Sequence, residues 1–277
     1  MFINTMRAHG ISDKKPLVRI LHNMARSGGT VISRCLGSMD GVVLLSEIHP
    51  FGSQVHNPLR QANEWFHLFS SADLRTFQTR SFTFVEAVEE IRRRVEESGR
   101  QLVIRDWSHI DFTGVPFTEN PSYRLTTAEI LGQHYRIVHT STVRHPLDQW
   151  LSLNRLKMFN DTPRPQARKF IHGYLRFAEF AMNMGYVRYE DFTLDSDTAL
   201  RTLCERLQLV FDAGYKSKWH DYEMITGDNT TPSESPRAEP YRIQSLTRRS
   251  FNDGVAEELQ GYVDYNAALE LLGYQAD

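Results

Sequence analysis

The chain is poor in several features that would each have fixed a class. It has two cysteines in 277 residues, Cys35 and Cys204. Two cannot build a disulfide framework or a four-cysteine metal site, so they read as reduced thiols in a reducing compartment. No HExxH and no CxxC is present among the eleven histidines and the cysteines, and the spacing offers no metal site. No stretch approaches the roughly 20 apolar residues that span a bilayer. The first sixteen residues lack the 7–15-residue apolar run of a secretory signal, which makes a cytoplasmic protein the expectation. Charge of one sign is also missing: 32 Lys+Arg stand against 34 Asp+Glu. That balance argues against sequence-independent nucleic-acid binding, which needs a basic excess, but leaves room for a local anion pocket.

What is present suits a folded α/β chain. Hydrophobic residues make up 40%, enough for a core at a length that buries about three quarters of the extended surface. A single domain over 1–277 is expected, with 1–16 as a polar lead-in. Short β-branched or apolar runs at 17–21, 42–45, 102–104, 135–143 and 186–189 read as strands. Helical spacing covers 31–36, 84–98, a segment starting at Pro146, 166–184 closed by Gly185, about 198–208, and 253–272. Residues 51–80 resist assignment. Residues 227–240, rich in Gly, Thr, Ser and Pro, read as a long binding loop. Strands apolar on both faces and alternating with helices predict a mainly parallel central sheet flanked by helices, in three layers. Ligands bind beyond the C-terminal ends of such strands. The polar clusters fall at those ends: Arg26-Ser27, Glu47, Asp106 to His109, Arg144 and Tyr189.

The first turn carries the clearest chemistry. Arg26-Ser27-Gly28-Gly29-Thr30 lies between a strand and a helix. Two glycines let an anion approach the backbone N–H groups, and the helix dipole favours negative charge there. Thr30 adds a hydroxyl, and Arg26 adds a planar fork of donors. Val31 opens the helix behind them. The GxxxxGK[ST] pattern of nucleotide triphosphatases is absent. The plainer reading is a tight turn with an incidental arginine. A second element pairs Arg144 with Ser152, about two helical turns further on; its plainer reading is Arg144 paired with Asp148.

Together these elements resemble sulfotransferases that use 3′-phosphoadenosine 5′-phosphosulfate. Residues 17–33 look like that family's 5′-phosphosulfate-binding strand, loop and helix, with Arg26 in the place of its basic residue. Val143-Arg144-His145-Pro146 and Ser152 match the spacing of its 3′-phosphate motif, with His145 where Asp or Asn is usual. Tyr189-Glu190-Asp191 matches its Tyr-Glu-Asp turn, whose tyrosine contacts the adenine side. The resemblance spans about 17–250 and implies a P-loop-like fold. By it, Arg26, Ser27, Gly28, Gly29, Thr30 and Val31 would grip the 5′-phosphosulfate, and Arg144 and Ser152 the 3′-phosphate. Tyr189 would flank the adenine, and Arg237 or Arg242 would contact phosphate from the 227–242 loop. That loop departs from the family's Arg-Lys-Gly signature.

The implied reaction moves a sulfuryl group to an acceptor hydroxyl or amine, with no metal. Arg26 would stabilise charge on the leaving oxygen, and a base would take the acceptor's proton. Glu47 resembles the catalytic carboxylate of some bacterial and carbohydrate-type members, and is preferred over His109. Asp106 ends the same strand as His109. In a competing reading, a small-molecule kinase, Asp106 would hold magnesium, although the loop lysine is missing. A third reading is a relative that binds the nucleotide without turnover. The acceptor, whether small molecule, carbohydrate or lipid, would be shaped by residues 50–80, 110–130 and 155–165. Arg92, Arg93 and Arg94 read as a solvated helix face.

Overall fold

In the computed structural model of the chain, residues 15–113, 120–154, 166–227, 242–245 and 259–275 are described. The first strand, β1 (Leu17–Asn23), is buried from Ile20 onward on both faces, as its apolar run requires of an inner strand. The chain continues through α1 (Gly29–Gly37) and β2 (Val42–Ile48). A short 3₁₀ turn, Pro50–Gly52, leads into α2 (Pro58–Phe66) and α3 (Ser71–Thr79). Next come α4 (Phe84–Glu97), β3 (Gln101–Asp106), α5 (His109–Phe112) and α6 (Thr126–Gly132). These are followed by β4 (Arg136–Val143), α7 (Pro146–Leu153), α8 (Ala167–Met184) and β5 (Tyr186–Arg188). The chain ends with α9 (Tyr189–Leu194), α10 (Ser196–Leu207), α11 (Tyr215–Lys218) and α12 (Val263–Leu272).

The strands form one parallel sheet in the order β2-β3-β1-β4-β5. Alternate strand residues feed two cores. Val18, Ile20, Val43, Leu45, Leu102 and Ile104 pack with α4, α6, α8 and α12. Leu21, Leu44 and Val103 pack with α1, α10 and α11. This is the three-layer α/β arrangement expected. The chain leaves β1 to one side for β2 and β3, then crosses to β4 on the other. Strand order thus reverses at β1, and the crevice at its C-terminal end is where such sheets hold ligands.

One unassigned segment is resolved, and two expectations need correction. The 51–80 segment holds two helices with strong starts: Asn57 accepts from Arg60 N ahead of Pro58, and Ser70 forms a capping box with Asp73. Their short, aromatic-rich sequences mask the helical period. The helix expected over 253–272 is not continuous where it is described. Residues 259–260 are helical, the chain breaks at Gly261, and Tyr262 is extended before α12. Glycine at that point weakens helix continuation. The three arginines of α4 do not form the uniformly solvated face expected: Arg93 is partly exposed, but Arg92 is buried and paired with Glu89 and Glu96, and Arg94 is partly buried against Glu90 and Asp73 of α3. Both cysteines are buried free thiols in the core behind α1. No described helix is long and apolar enough to cross a membrane.

Candidate active site

The loop after β1 is shaped by two left-handed residues. Arg26 has φ 66° and Gly28 has φ 82°. For an arginine that conformation costs about 1–2 kcal/mol, and such strain gathers at ligand clamps. Ser27 N returns to Met24 O at 3.3 Å and closes the turn. Gly28 caps α1 without any side-chain cap, so the first-turn N–H groups keep their positive end exposed to the crevice. A Cβ at Gly28 would collide with the Tyr189 ring, and one at Gly29 with the Asn23 amide. Only glycine fits at either place. Ser27 Oγ is buried with no hydrogen-bond partner, an orphan of the kind a bound oxyanion would satisfy. Thr30 and Val31 sit half-buried in the first turn of α1.

The second and third motifs close on this loop. Proline at the first position of α7 starts the helix that carries Ser152. Arg26 Nε donates to Ser152 Oγ at 3.0 Å across 126 residues of sequence. Arg144 Nη1 donates to Arg26 O at 3.4 Å, and its guanidinium lies 5.1 Å from the centroid of the Tyr189 ring. Gln149 Nε2 donates to Ala25 O at 2.7 Å. Glu190, the middle residue of the Tyr-Glu-Asp turn, accepts from His145 N at 3.0 Å and from Tyr274 OH at 2.9 Å. It clips the β4–α7 junction that presents Arg144. Asp191 pairs with Arg188.

A buried arginine organises the other side. Arg105, 3% exposed on β3, donates to Asn23 Oδ1 at 3.1 Å, Ser46 Oγ at 2.9 Å and Thr226 O at 3.2 Å. Its Nη2 lies 3.5 Å from Glu47 Oε1. Glu47 stands at the end of β2 with φ 56°, and its Oε2 lies 3.3 Å from His56 Nε2. Burial pushes the Glu47 carboxyl up, but Arg105, His109, a hydrogen bond from Thr226 and His56 outweigh it. The carboxyl is held below its usual range. His109 is buried at the start of α5, and that burial holds its imidazole down to about 4, so it is neutral at pH 7.

Asp106 lies in a separate buried cluster. It accepts from His22 Nδ1 at 2.9 Å, Ser108 Oγ at 2.6 Å and Thr127 Oγ1 at 2.5 Å. Burial raises its pKa, yet these hydrogen bonds and the neighbouring histidines leave it lowered. Asp106→Ala is expected to cost about 3 kcal/mol, because it strands His22 and two hydroxyls in the core. The urea midpoint at pH 7 reads this loss. Because the native carboxyl titrates below the unfolded one, its stabilisation is full above the unfolded pKa. It disappears as pH falls through the folded value, so the wild-type advantage over the variant shrinks in acid.

Of the residues expected from sequence, Arg26 to Val31, Arg144, Ser152 and Tyr189 come together. Glu47 and His109 share the Arg105 cluster. Arg237 and the 155–165 segment lie outside the described residues, and Arg242 is exposed. The sequence reading passed over Arg105, His56, Gln149 and Asn23. A charged residue that extends the apolar strand Leu102 to Ile104 into its C-terminal end was the available signal for Arg105.

No protein-family model matches the chain, and no curated protein sequence matches it. Solved structures do. The sulfotransferase domain from the curacin biosynthetic pathway superposes with a TM-score of 0.63 at 14% identity, over 96% of this chain and 100% of that domain. The sulfotransferase domain of the Synechococcus PCC 7002 olefin synthase gives 0.59 at 18% identity, over 96% of this chain and 98% of that one. Over nearly its whole length, the chain has the sulfotransferase fold.

Proposed function

We propose that the protein is a sulfotransferase that moves a sulfuryl group from 3′-phosphoadenosine 5′-phosphosulfate to a hydroxyl or amine of a small-molecule, carbohydrate or lipid acceptor, by in-line displacement. The observation that carries this reading is the Arg26–Ser152 hydrogen bond. It joins the loop suited to the 5′ group to the helix suited to the 3′-phosphate, with Arg144 and Tyr189 against the same loop. The orphan Ser27 Oγ and the uncapped start of α1 fit a tetrahedral anion. When bound, the donor supplies the sulfuryl group and leaves as adenosine 3′,5′-bisphosphate.

The chain's own residues then have distinct tasks. Gly28, Gly29, Thr30 and Val31 offer backbone N–H groups and a hydroxyl. Ser27 adds a buried hydroxyl, and Arg144 with Ser152 holds the second anion. Tyr189 provides a face for the adenine. Arg26 stands between the two anion sites, where charge develops on the leaving oxygen. Glu47 supplies negative charge on the acceptor side, fixed by Arg105. The exposed Arg242, and Arg237 with it, would add phosphate contacts from the neighbouring loop. The two buried thiols support a cytoplasmic setting.

The kinase alternative is disfavoured by the loop's lack of a lysine and by Asp106, whose oxygens already serve His22, Ser108 and Thr127. Calorimetry separates the two readings: adenosine 3′,5′-bisphosphate is expected to bind, and ATP with magnesium to bind far more weakly. Arg144→Ala is expected to weaken the bisphosphate about 10- to 100-fold, the loss of charge-assisted hydrogen bonds worth about 1.5–3 kcal/mol. Equal binding of both nucleotides, or an Arg144 variant with unchanged Kd, would remove the basis for this reading.

A further inference from the structure

Three titratable side chains share the acceptor side of the site, and they differ in what they can do with a proton. Both oxygens of Glu47 are engaged. Oε1 faces Arg105 Nη2 at 3.5 Å and Oε2 faces His56 Nε2 at 3.3 Å. Gly227 presses on the same carboxylate, since a Cβ there would stand 2.7 Å from Oε1. A carboxylate held ionised in this way is a stable anion and a weak proton acceptor. His109 is 7% exposed and burial holds it to about 4. The third, His56, keeps a partly open ring, with 19% of its side chain exposed.

Local structure brings His56 to Glu47. The Pro50–Gly52 turn folds the chain back, and both Val55 N and His56 N donate to Gly52 O at 2.9 Å. Gly52 sits against the Trp107 ring, where a Cβ would meet Cε3 at 2.6 Å. The His56 ring in turn packs edge-on to Trp107, with centroids 4.6 Å apart. Trp107 follows directly on β3, which carries Arg105. The imidazole is thus held between Trp107 and the Glu47 carboxylate. With Nε2 turned to Glu47, Nδ1 is the ring nitrogen that keeps a lone pair.

We propose that His56, oriented by Glu47, accepts the proton of the acceptor hydroxyl, so that Glu47 works through His56. This rests on the sulfotransferase reading above. The acceptor oxygen bonds to sulfur as its proton passes to His56 Nδ1. The bond from sulfur to the bridging phosphate oxygen breaks, and its electron pair stays on that oxygen. The imidazolium later gives its proton to water. The Glu47 carboxylate, 3.3 Å from Nε2, favours the proton on that nitrogen and stabilises the imidazolium electrostatically, the part a carboxylate plays in a histidine-based triad. The charged groups facing His56 are Glu47, which favours the imidazolium, and Arg105 and Arg60, which oppose it. Burial outweighs each of these charges and holds the ring below its ordinary value.

The test combines a readout independent of turnover with one that depends on it. Nitrogen-15 NMR of the full chain is expected to show the His56 Nε2–H tautomer at neutral pH, and a lower His56 pKa in Glu47→Gln. With ³⁵S-labelled donor and a panel of 4-nitrophenol, 1-octanol and N-acetylglucosamine, His56→Gln and His56→Ala are each expected to lose about 10²–10⁴-fold in turnover. The bisphosphate Kd should not change, and the Glu47→Gln, His56→Gln double variant should be no slower than the slower single one. Undiminished turnover in His56→Gln, with the bisphosphate still bound, overturns the assignment and leaves the sulfotransferase reading standing. So does a His56 pKa that ignores Glu47→Gln. Failure of the wild type to bind the bisphosphate sinks the donor reading, and this assignment with it.

Discussion

Arg26→Ala lowers sulfuryl-transfer turnover by about 10²–10³-fold, equivalent to about 2.7–4 kcal/mol of transition-state stabilisation. Arg26 occupies the left-handed region at φ 66°, a conformation that an arginine keeps only where its surroundings hold it. They do so on three sides. Its own Nε is bound to Ser152, its carbonyl accepts from Arg144, and Gln149 holds the neighbouring Ala25 carbonyl. The guanidinium is therefore set in place before any ligand arrives, and pre-set charge is what stabilises a developing oxyanion without reorganisation. The left-handed cost comes from Cβ, which alanine keeps, so the substitution relieves no strain and removes the guanidinium charge together with its Nε bond to Ser152. Arg26→Lys keeps the charge but gives up the fork and the Nε bond to Ser152, so its turnover falls between wild type and the alanine variant. Steady-state rates with labelled donor measure the series. Full turnover in Arg26→Ala would remove Arg26 from the mechanism, whatever its effect on binding.

How far the sequence could be read depended on how local the information was. The cradle was legible because its determinants are contiguous: an apolar strand, two glycines, an arginine and a helix start within 17–36. The sheet was legible for the same reason, since runs such as Val42 to Leu45 are apolar on both faces, as a sheet covered by helices on both sides requires even of β2 at its edge. The site's other half is made by pairings across the sequence. Arg105 meets Asn23 and Thr226, 82 and 121 residues away, and no local pattern announces either contact. Asp106 read as a strand-end carboxylate available for chemistry, but strand pairing sets it opposite His22, and that residue claims it. His56 lies only nine positions from Glu47, yet the pairing depends on a three-residue turn and on the Trp107 ring. The helices within 51–80 were hidden differently. Their caps, Asn57 and Ser70 with Asp73, were present in the sequence, but the apolar spacing behind them was too short to draw attention.

Glu47→Gln is expected to lower kcat/KM by about 10²–10⁴-fold while leaving the fold intact. Glutamine keeps the shape against Gly227 and can still face Arg105, but it removes the negative charge that Arg105 and His56 both meet. The pH profile tells how the charge acts. The Glu47 carboxyl is held below the usual range, so if it took the proton itself, activity would persist into acid and fail only as pH fell through that lowered value. If His56 takes the proton, the acid limb is that of an imidazole held below its ordinary range. In Glu47→Gln the residual activity then has its acid limb displaced to still lower pH, because the group that favoured the imidazolium is gone while Arg105 and Arg60 remain. His109, held down to about 4 by burial, is neutral near neutrality and contributes no limb in the imidazole range. An acid limb in the wild type that lies in the lowered carboxylate range, and vanishes in Glu47→Gln, would return the proton to Glu47. A limb near the imidazole range that moves downward in the variant places it on His56, with the carboxylate acting on the ring.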